Sequence, residues 1–450
     1  MENGLQKRYG LVTAMAMVVV IVVGSGVFFK AEKVLNCTGG DLKLGIFAWV
    51  IGGIIMISCA YSFAVMAARY EKINGIVDYA EAALGPKYSY TLGWILTVVY
   101  YPNLTAVLAW VSARYTCVLF GVEDITGGIC MVIACFYLVL SYALNALSPV
   151  LAGKFQVCAT VIKLIPLLLM AVAGTVFGLK TGMTSYNFTN IVTEVSTGTA
   201  LFTAVVATAF AYDGWIVATS INSEIKDSKK NLPRALVGGT FIIMAVYILY
   251  YVGLAGAVTN EEMMAGGEAG ARLAFETVFS SVGGTLVFVF VIISCLGTLN
   301  GVMLACTRGI YSLSARGKGP RPDMFGEISP TTNMPTNSAI FGVLLAAFWL
   351  LYFYGANLTT PWFGFFSFDS SELPIVAVYG MYIPIFFKMM TFKDLTLFKR
   401  VIAPSVAVCG CIFMVVAACF SHRGAVIAFL IVLSVITLIG MRFSKERIEK

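Results

Sequence analysis

Runs of about twenty apolar residues, each long enough to cross a bilayer as a helix, follow one another along nearly the whole chain. The first is Leu11 to Phe29. Others follow at about 44–68, 88–119, 127–147, 154–179, 197–224, 235–258, 283–313, 337–354, 362–387, 400–420 and 424–441. Inside lipid, backbone polar groups must be paired within the segment, so such runs are helices. The reading is an all-α polytopic membrane protein with twelve transmembrane helices, forming one transmembrane domain over 1–450. Leu11–Phe29 is too long for a signal-peptide core and lacks a small-residue cleavage site, so it is expected to remain as span 1. A short amphipathic stretch, 268–281, is expected at the interface before span 8.

Composition excludes the main competitors. Only 12% of residues are charged against 59% hydrophobic, and His422 is the single histidine. A soluble enzyme, a disordered regulator and a histidine-based metal site are all out of keeping with this. The polar connections hold no phosphate-binding loop, no dinucleotide fingerprint and no paired Cys-x-x-Cys, so no cofactor or metal is expected. The net charge of +7 has its explanation in topology rather than nucleic acid. Twenty Lys and Arg fall in the N-terminal segment and the segments on its side, against six (Lys30, Lys33, Lys43, Lys180, Arg272, Arg423) in the alternate ones. Both termini are therefore expected in the cytoplasm, with the protein in the plasma (inner) membrane.

Two spans are interrupted near their middles. Span 1 reads Val22-Val23-Gly24-Ser25-Gly26-Val27-Phe28, and span 6 reads Phe210-Ala211-Tyr212-Asp213-Gly214-Trp215. Glycine costs a helix interior roughly 1 kcal/mol relative to alanine, and freed backbone groups are tolerated in lipid only where they line a cavity or find new partners. One account of a Gly-Ser-Gly run alone is close helix packing. Breaks in spans 1 and 6 together are corresponding positions if spans 1–5 and 6–10 are inverted repeats, which points to a transport site near the midplane. An unwound segment offers N–H groups to an anion and carbonyls to an ammonium. An α-amino acid carries both.

The Gly24-Ser25-Gly26-Val27-Phe28 run resembles the Gly-Ser-Gly-Ile-Phe motif of the L-type amino acid transporters, within the amino acid–polyamine–organocation superfamily. Phe210–Trp215 is similar to that family's span 6 segment, and Ser294-Cys295-Leu296-Gly297-Thr298-Leu299-Asn300-Gly301 to its span 8 stretch. Asn74-Gly75 through Tyr79, Gly93-Trp94 and Pro102 resemble its first inner loop and third span. The likeness runs from residue 8 to about 340 and weakens beyond, where Asp369-Ser370-Ser371-Glu372-Leu373-Pro374 departs from the pattern. It implies a LeuT-type 5+5 inverted repeat with broken helices 1 and 6, the repeats covering 8–180 and 196–388, with spans 11 and 12 in 399–442. It further implies that the amides of Ser25 and Gly26 receive a substrate carboxylate, and that the carbonyls of Val22, Phe210 and Asp213 receive its amino group, with Gly24 and Ala211 in the same segments. The Phe210 ring is then an outer gate, and Ile216 and Val217 line an apolar side-chain pocket. The Asp213 carboxylate has two readings: a cap on the second half-helix, or recognition of a cationic substrate.

Lys163 lies too deep in span 5 to snorkel, which makes it a functional residue by default, with a purely structural ion pair as the other reading. The resemblance places it where sodium-driven relatives hold a cation, with carbonyls near Val23 or Gly24 and the hydroxyls of Ser294 or Thr298 as partners. Asp369 and Glu372, three apart on one face of span 10, are either a cap or ion pair at a break near Pro374, or a proton site or contact to a polar substrate. Asn36, Asn187 and Asn357 head glycosylation sequons that a bacterial protein is expected to ignore. The Gly121–Gly128 loop has no cysteine, so no disulfide-linked heavy subunit is expected as a partner.

These readings converge on a Na⁺-independent exchanger (antiporter) of neutral, small L-amino acids, not an enzyme, with its amino acid substrate and the lipid bilayer as partners. The alternative is a proton-coupled symporter working through Lys163 or the Asp369/Glu372 pair. A channel lacks its filter here, and an intramembrane protease lacks its Ser/His or paired-Asp constellation.

Overall fold

The computed structural model describes residues 10–24, 26–70, 75–215, 225–330 and 334–444. Among them, nine helices are long and apolar enough to cross a membrane, and Thr197–Tyr212 and Leu373–Met389 are shorter apolar helices. The chain is a multi-pass membrane protein. Its backbone interruptions are as informative as its helices.

The first apolar run is split into helices Leu11–Val22 and Gly26–Cys37. Val23 between them is extended (φ −63°, ψ 113°). The second piece continues well past Phe29, which corrects the expectation for Lys30: it is not in an outer loop but inside a helix and fully buried. The apolar run ended because Lys30, Glu32 and Lys33 follow Phe29, yet the helix continues, with Glu32 and Lys33 half-buried and Lys30 turned inward against aromatic rings.

The run at 154–179 is interrupted at Lys163, between helices Pro149–Ile162 and Leu164–Leu169. Pro166 supplies the cause, since it has no N–H for the Ile162 carbonyl and its ring crowds that oxygen. The expected interfacial stretch 268–281 and span 8 form one long element, Glu268–Ser314, kinked at Ser280 where φ is +65°. The run at 362–387 needs the largest correction. Its helix begins only at Leu373, and Gly364–Phe366 before it is a short 3₁₀ turn. Asp369 and Glu372 therefore do not share a helical face. Pro374 sits in the first turn of the helix, where a missing N–H costs nothing, rather than breaking it midway.

The chain divides into two compact units, each assembled from separated segments. The first comprises residues up to Ser89, Leu167–Val278 and Ile375–Ser421; the second comprises Tyr90–Pro166, Phe279–Pro374 and the residues from His422 onward.

In the first unit the core is aromatic. Trp49 meets Tyr212 and Tyr247 edge-on, with ring centroids 5.5 and 5.7 Å apart, while Tyr212 and Tyr247 stack at 5.4 Å. The Tyr212 hydroxyl donates to the Trp49 carbonyl at 2.9 Å. A second cluster gathers Phe63, Trp215, Tyr382 and Phe386. At the rim, the Asn187 amide donates to the carbonyls of Ala255 (2.5 Å) and Val258 (2.8 Å) and accepts from the Asn260 N–H (3.0 Å). This sequon asparagine is buried and has its hydrogen-bonding capacity in use.

The second unit is joined by side-chain amides. Asn145 donates to Asn300 Oδ1 at 2.9 Å, and Asn300 donates to Gln156 Oε1 at 3.0 Å. Tyr90 and Trp94 donate to the carbonyls of Gly440 (3.0 Å) and Ile436 (2.9 Å), which fastens the last helix, Gly424–Met441, to the start of this unit.

Candidate functional site

The two breaks face one another inside the first unit. Helix Gly26–Cys37 begins flat against the end of Thr197–Tyr212: a Cβ added at Gly26 lies 2.6 Å from the Ala211 Cα and 3.0 Å from the Phe210 carbonyl oxygen. Glycine is required at this contact, so the close-packing account of Gly26 holds as well as any account in terms of its N–H. The Phe210 carbonyl is thereby aimed at the first turn of the restarted helix.

On the other side of the contact, the Tyr247 hydroxyl stands 3.3 Å from the Val22 carbonyl and 3.2 Å from the Ala211 carbonyl. Both distances are long for an O–H donor, whose usual range centres near 2.7–2.8 Å. One hydroxyl proton is shared between the last carbonyl of one broken helix and a carbonyl in the last turn of another. An ammonium, with three donors, suits two converging carbonyls better than a single hydroxyl does. Tyr247 was missed in the sequence because a tyrosine in an apolar span has no spacing that betrays it.

Asp213 ends its helix in extended backbone (φ −71°, ψ 160°) and Gly214 takes φ +99°, a conformation that glycine adopts without steric cost. Trp215 follows, 1% exposed, against Phe63 and Tyr382 at 5.8 and 5.9 Å. Ser25, Ile216 and Val217 lie outside the described residues.

Above the contact, the Phe210 ring is buried and meets Phe29 edge-on at 5.8 Å. The Lys30 Nζ lies 4.9 Å from the Phe29 ring centre and 5.2 Å from that of Phe210, within cation–π range of both. Lys30 is one helical turn from Gly26 and so shares its face. The sequence had assigned this lysine to the water.

The remaining candidates belong to the second unit. Lys163 is buried, 4% exposed, at the joint in its helix. Ser294 Oγ is buried with no hydrogen-bond partner among the described residues, so the Lys163 ammonium is not bonded to it, contrary to one of the expectations above. Thr298 donates to the Ser294 carbonyl at 3.0 Å. Around them, the span 8 motif is used for packing: Gly297 abuts Ala159, and Asn300 reaches Gln156.

Asp369 and Glu372 have separate work. Asp369 Oδ1 accepts from the Ser371 N–H (2.8 Å) and hydroxyl (2.6 Å). Glu372, 1% exposed, pairs with His422 Nε2 at 3.1 Å. Its carboxylate immediately precedes helix Leu373–Met389, where the helix dipole favours an anion.

The sequence model of the Amino acid permease family matches residues 9–441. The chain is 29% identical over 393 residues to the serine/threonine exchanger SteT of Bacillus subtilis, covering 87% of this chain and 84% of that protein. It is 26% identical to the human b(0,+)-type amino acid transporter 1, covering 78% and 71%. Against the mouse large neutral amino acids transporter small subunit 2 it is 27% identical, covering 76% and 64%.

Proposed function

This chain belongs to the amino acid permease family, and on that premise we propose that it is a Na⁺-independent exchanger of small neutral L-amino acids, working by alternating access through twelve spans in a 5+5 inverted repeat, with both termini in the cytoplasm. The observation that carries the reading is the convergence of the Val22 and Ala211 carbonyls beside the glycine contact at Gly26. Backbone groups bind the parts common to every α-amino acid, so no charged side chain is needed. The ammonium is held at the carbonyls of Val22, Phe210 and Asp213, and the carboxylate at the N–H groups of Ser25 and Gly26, where helix Gly26–Cys37 presents its positive end. Phe210, braced by Phe29 and Lys30, closes over the substrate. Ile216 and Val217 give the side-chain pocket an apolar wall. Lys163 supplies a fixed positive charge in place of a coupling cation. The name of the Bacillus relative, a serine/threonine exchanger, supports the choice of antiport.

A proton-coupled symporter is the second reading, favoured by the buried Glu372–His422 pair. One experiment separates the two: uptake of labelled serine, threonine or alanine into proteoliposomes, preloaded with amino acid or empty, with and without sodium and a pH gradient. Exchange requires the preload and ignores sodium. Accumulation in empty vesicles driven by the pH gradient overturns the antiport reading in favour of the symporter.

A further inference from the structure

A groove of about 700 Å³ opens on the first unit, away from the breaks, and its composition is unlike anything else described above. Lys229, Lys230 and Arg234 line it from the first two turns of helix Ser228–Ala257, Lys399 from the π-helical turn Phe398–Ile402, and Tyr61 from helix Leu42–Tyr70. No carboxylate stands among the described residues that line it. The positive-inside rule accounts for basic residues scattered in loops. It does not account for cations from two segments about 170 residues apart in sequence closing on one cavity with a phenol between them.

The groove lies where water meets lipid. The apolar spans Lys229–Ala257 and Phe398–His422 both begin at its basic residues. Beyond those residues the same surface turns apolar and stays exposed. On the longer helix, Lys230, Arg234 and Gly238 lie on one face, and Phe241, 58% exposed, continues it about 10 Å beyond Arg234 at 1.5 Å per residue. On the other wall Ile402, 46% exposed, lies about one turn beyond Lys399, and Val406, 45% exposed, one turn further. A site with cations at the water level and bare apolar surface one to two turns deeper is complementary to a molecule with an anionic head and an acyl tail.

We propose that this groove is a binding site for one anionic phospholipid, its phosphate held by Lys230, Arg234 and Lys399 and an acyl chain lying along Phe241 and Ile402. Arginine and lysine on a phosphate give charge-assisted hydrogen bonds, the Tyr61 hydroxyl offers a further donor, and the positive end of a thirty-residue helix adds to the field. Basic pockets between membrane helices are a recurring form of lipid headgroup recognition. The occupied site would join the Ser228 end of one helix to the Phe398 turn of another by way of the lipid.

The test uses the full-length protein in neutral-detergent micelles, with phosphatidylglycerol, phosphatidylcholine or inorganic phosphate added, read by native mass spectrometry and by thermal unfolding. Wild type is expected to retain phosphatidylglycerol and melt at higher temperature in its presence, with phosphatidylcholine and inorganic phosphate having little effect. Lys230→Gln, Arg234→Gln and Lys399→Gln should each weaken retention about fivefold, the worth of one basic residue near an anionic surface. Lys230→Arg, which keeps the charge, should retain the lipid, as should Lys388→Gln, which removes an exposed cation outside the groove. Equal retention by wild type and the charge-removing variants overturns the site. Equal protection by inorganic phosphate overturns the lipid as its occupant.

Discussion

Apart from the Asn187–Asn260 rim of the first, the two units handle buried polarity differently. In the first, the groups that meet between helices are backbone carbonyls released by breaks, and a single tyrosine proton serves two of them. In the second, Asn145, Asn300 and Gln156 satisfy one another through side chains. The side-chain donors of Asn145 and Asn300 are thereby taken up. Carbonyls bridged by one long hydroxyl contact are under-satisfied, so they can pass to an ammonium and back at small cost. Binding is thus expected to reside in the first unit and fixed form in the second.

Gly26→Val is the strongest way to break that contrast. Its side chain meets the Ala211 backbone, and overpacking of this kind costs about 1–3 kcal/mol. Exchange should fall below detection, with a lower melting temperature. Normal exchange by this variant, measured in proteoliposomes, would take the site away from the break. Asn300→Leu should come next. It takes the side-chain acceptor from buried Asn145 and the donor from half-buried Gln156, at about 1–3 kcal/mol, lowering thermal stability while leaving the apparent affinity for substrate within twofold. A large affinity loss in a folded Asn300→Leu protein would contradict the division of labour. Tyr247→Phe should shift substrate affinity by about two- to tenfold, the worth of one hydrogen bond. The sign is informative: tighter binding means that the hydroxyl competes with the substrate, weaker binding that it positions the carbonyls. The smallest effect is expected for His422→Asn. The contact to Glu372 is lost, and the maximal exchange rate should change less than about fivefold. A larger loss of rate in a folded variant would give the Glu372–His422 pair a part in transport beyond structure.

What could be read in the sequence depended on how local its cause was. The break at Gly24 was legible to within a residue because glycine and serine in mid-span have an immediate backbone consequence. The end of helix Thr197–Tyr212 was legible for the same reason at Asp213-Gly214. Lys30 was misplaced because charge was taken to mark the end of a span, whereas the helix goes on to Cys37 and folds that lysine onto two rings. Asp369 and Glu372 were given a helical register they do not have, since Pro374 reads the same from sequence whether it kinks a helix or starts one. His422 was out of reach for a different reason: its partner is 50 residues away, and no periodicity links them.

The interleaving of the two units also sets an order of events during synthesis. The chain passes between them at Ser89/Tyr90, Pro166/Leu167, Val278/Phe279, Pro374/Ile375 and Ser421/His422, so neither unit is contiguous. At about 5–20 residues per second, Ser421 leaves the ribosome roughly 20–80 seconds after initiation. Until then the first unit lacks its last helix, and the second lacks Gly424–Met441 for still longer. The Tyr90 hydroxyl waits for a carbonyl 350 residues downstream, and the Glu372 carboxylate enters the bilayer before its histidine exists. Early spans must therefore be held by lipid, by the insertion machinery or by one another in provisional pairings. A nascent chain stalled just before His422 should be fully inserted yet readily digested by protease, a state that synthesis of helix Gly424–Met441 converts to the resistant form.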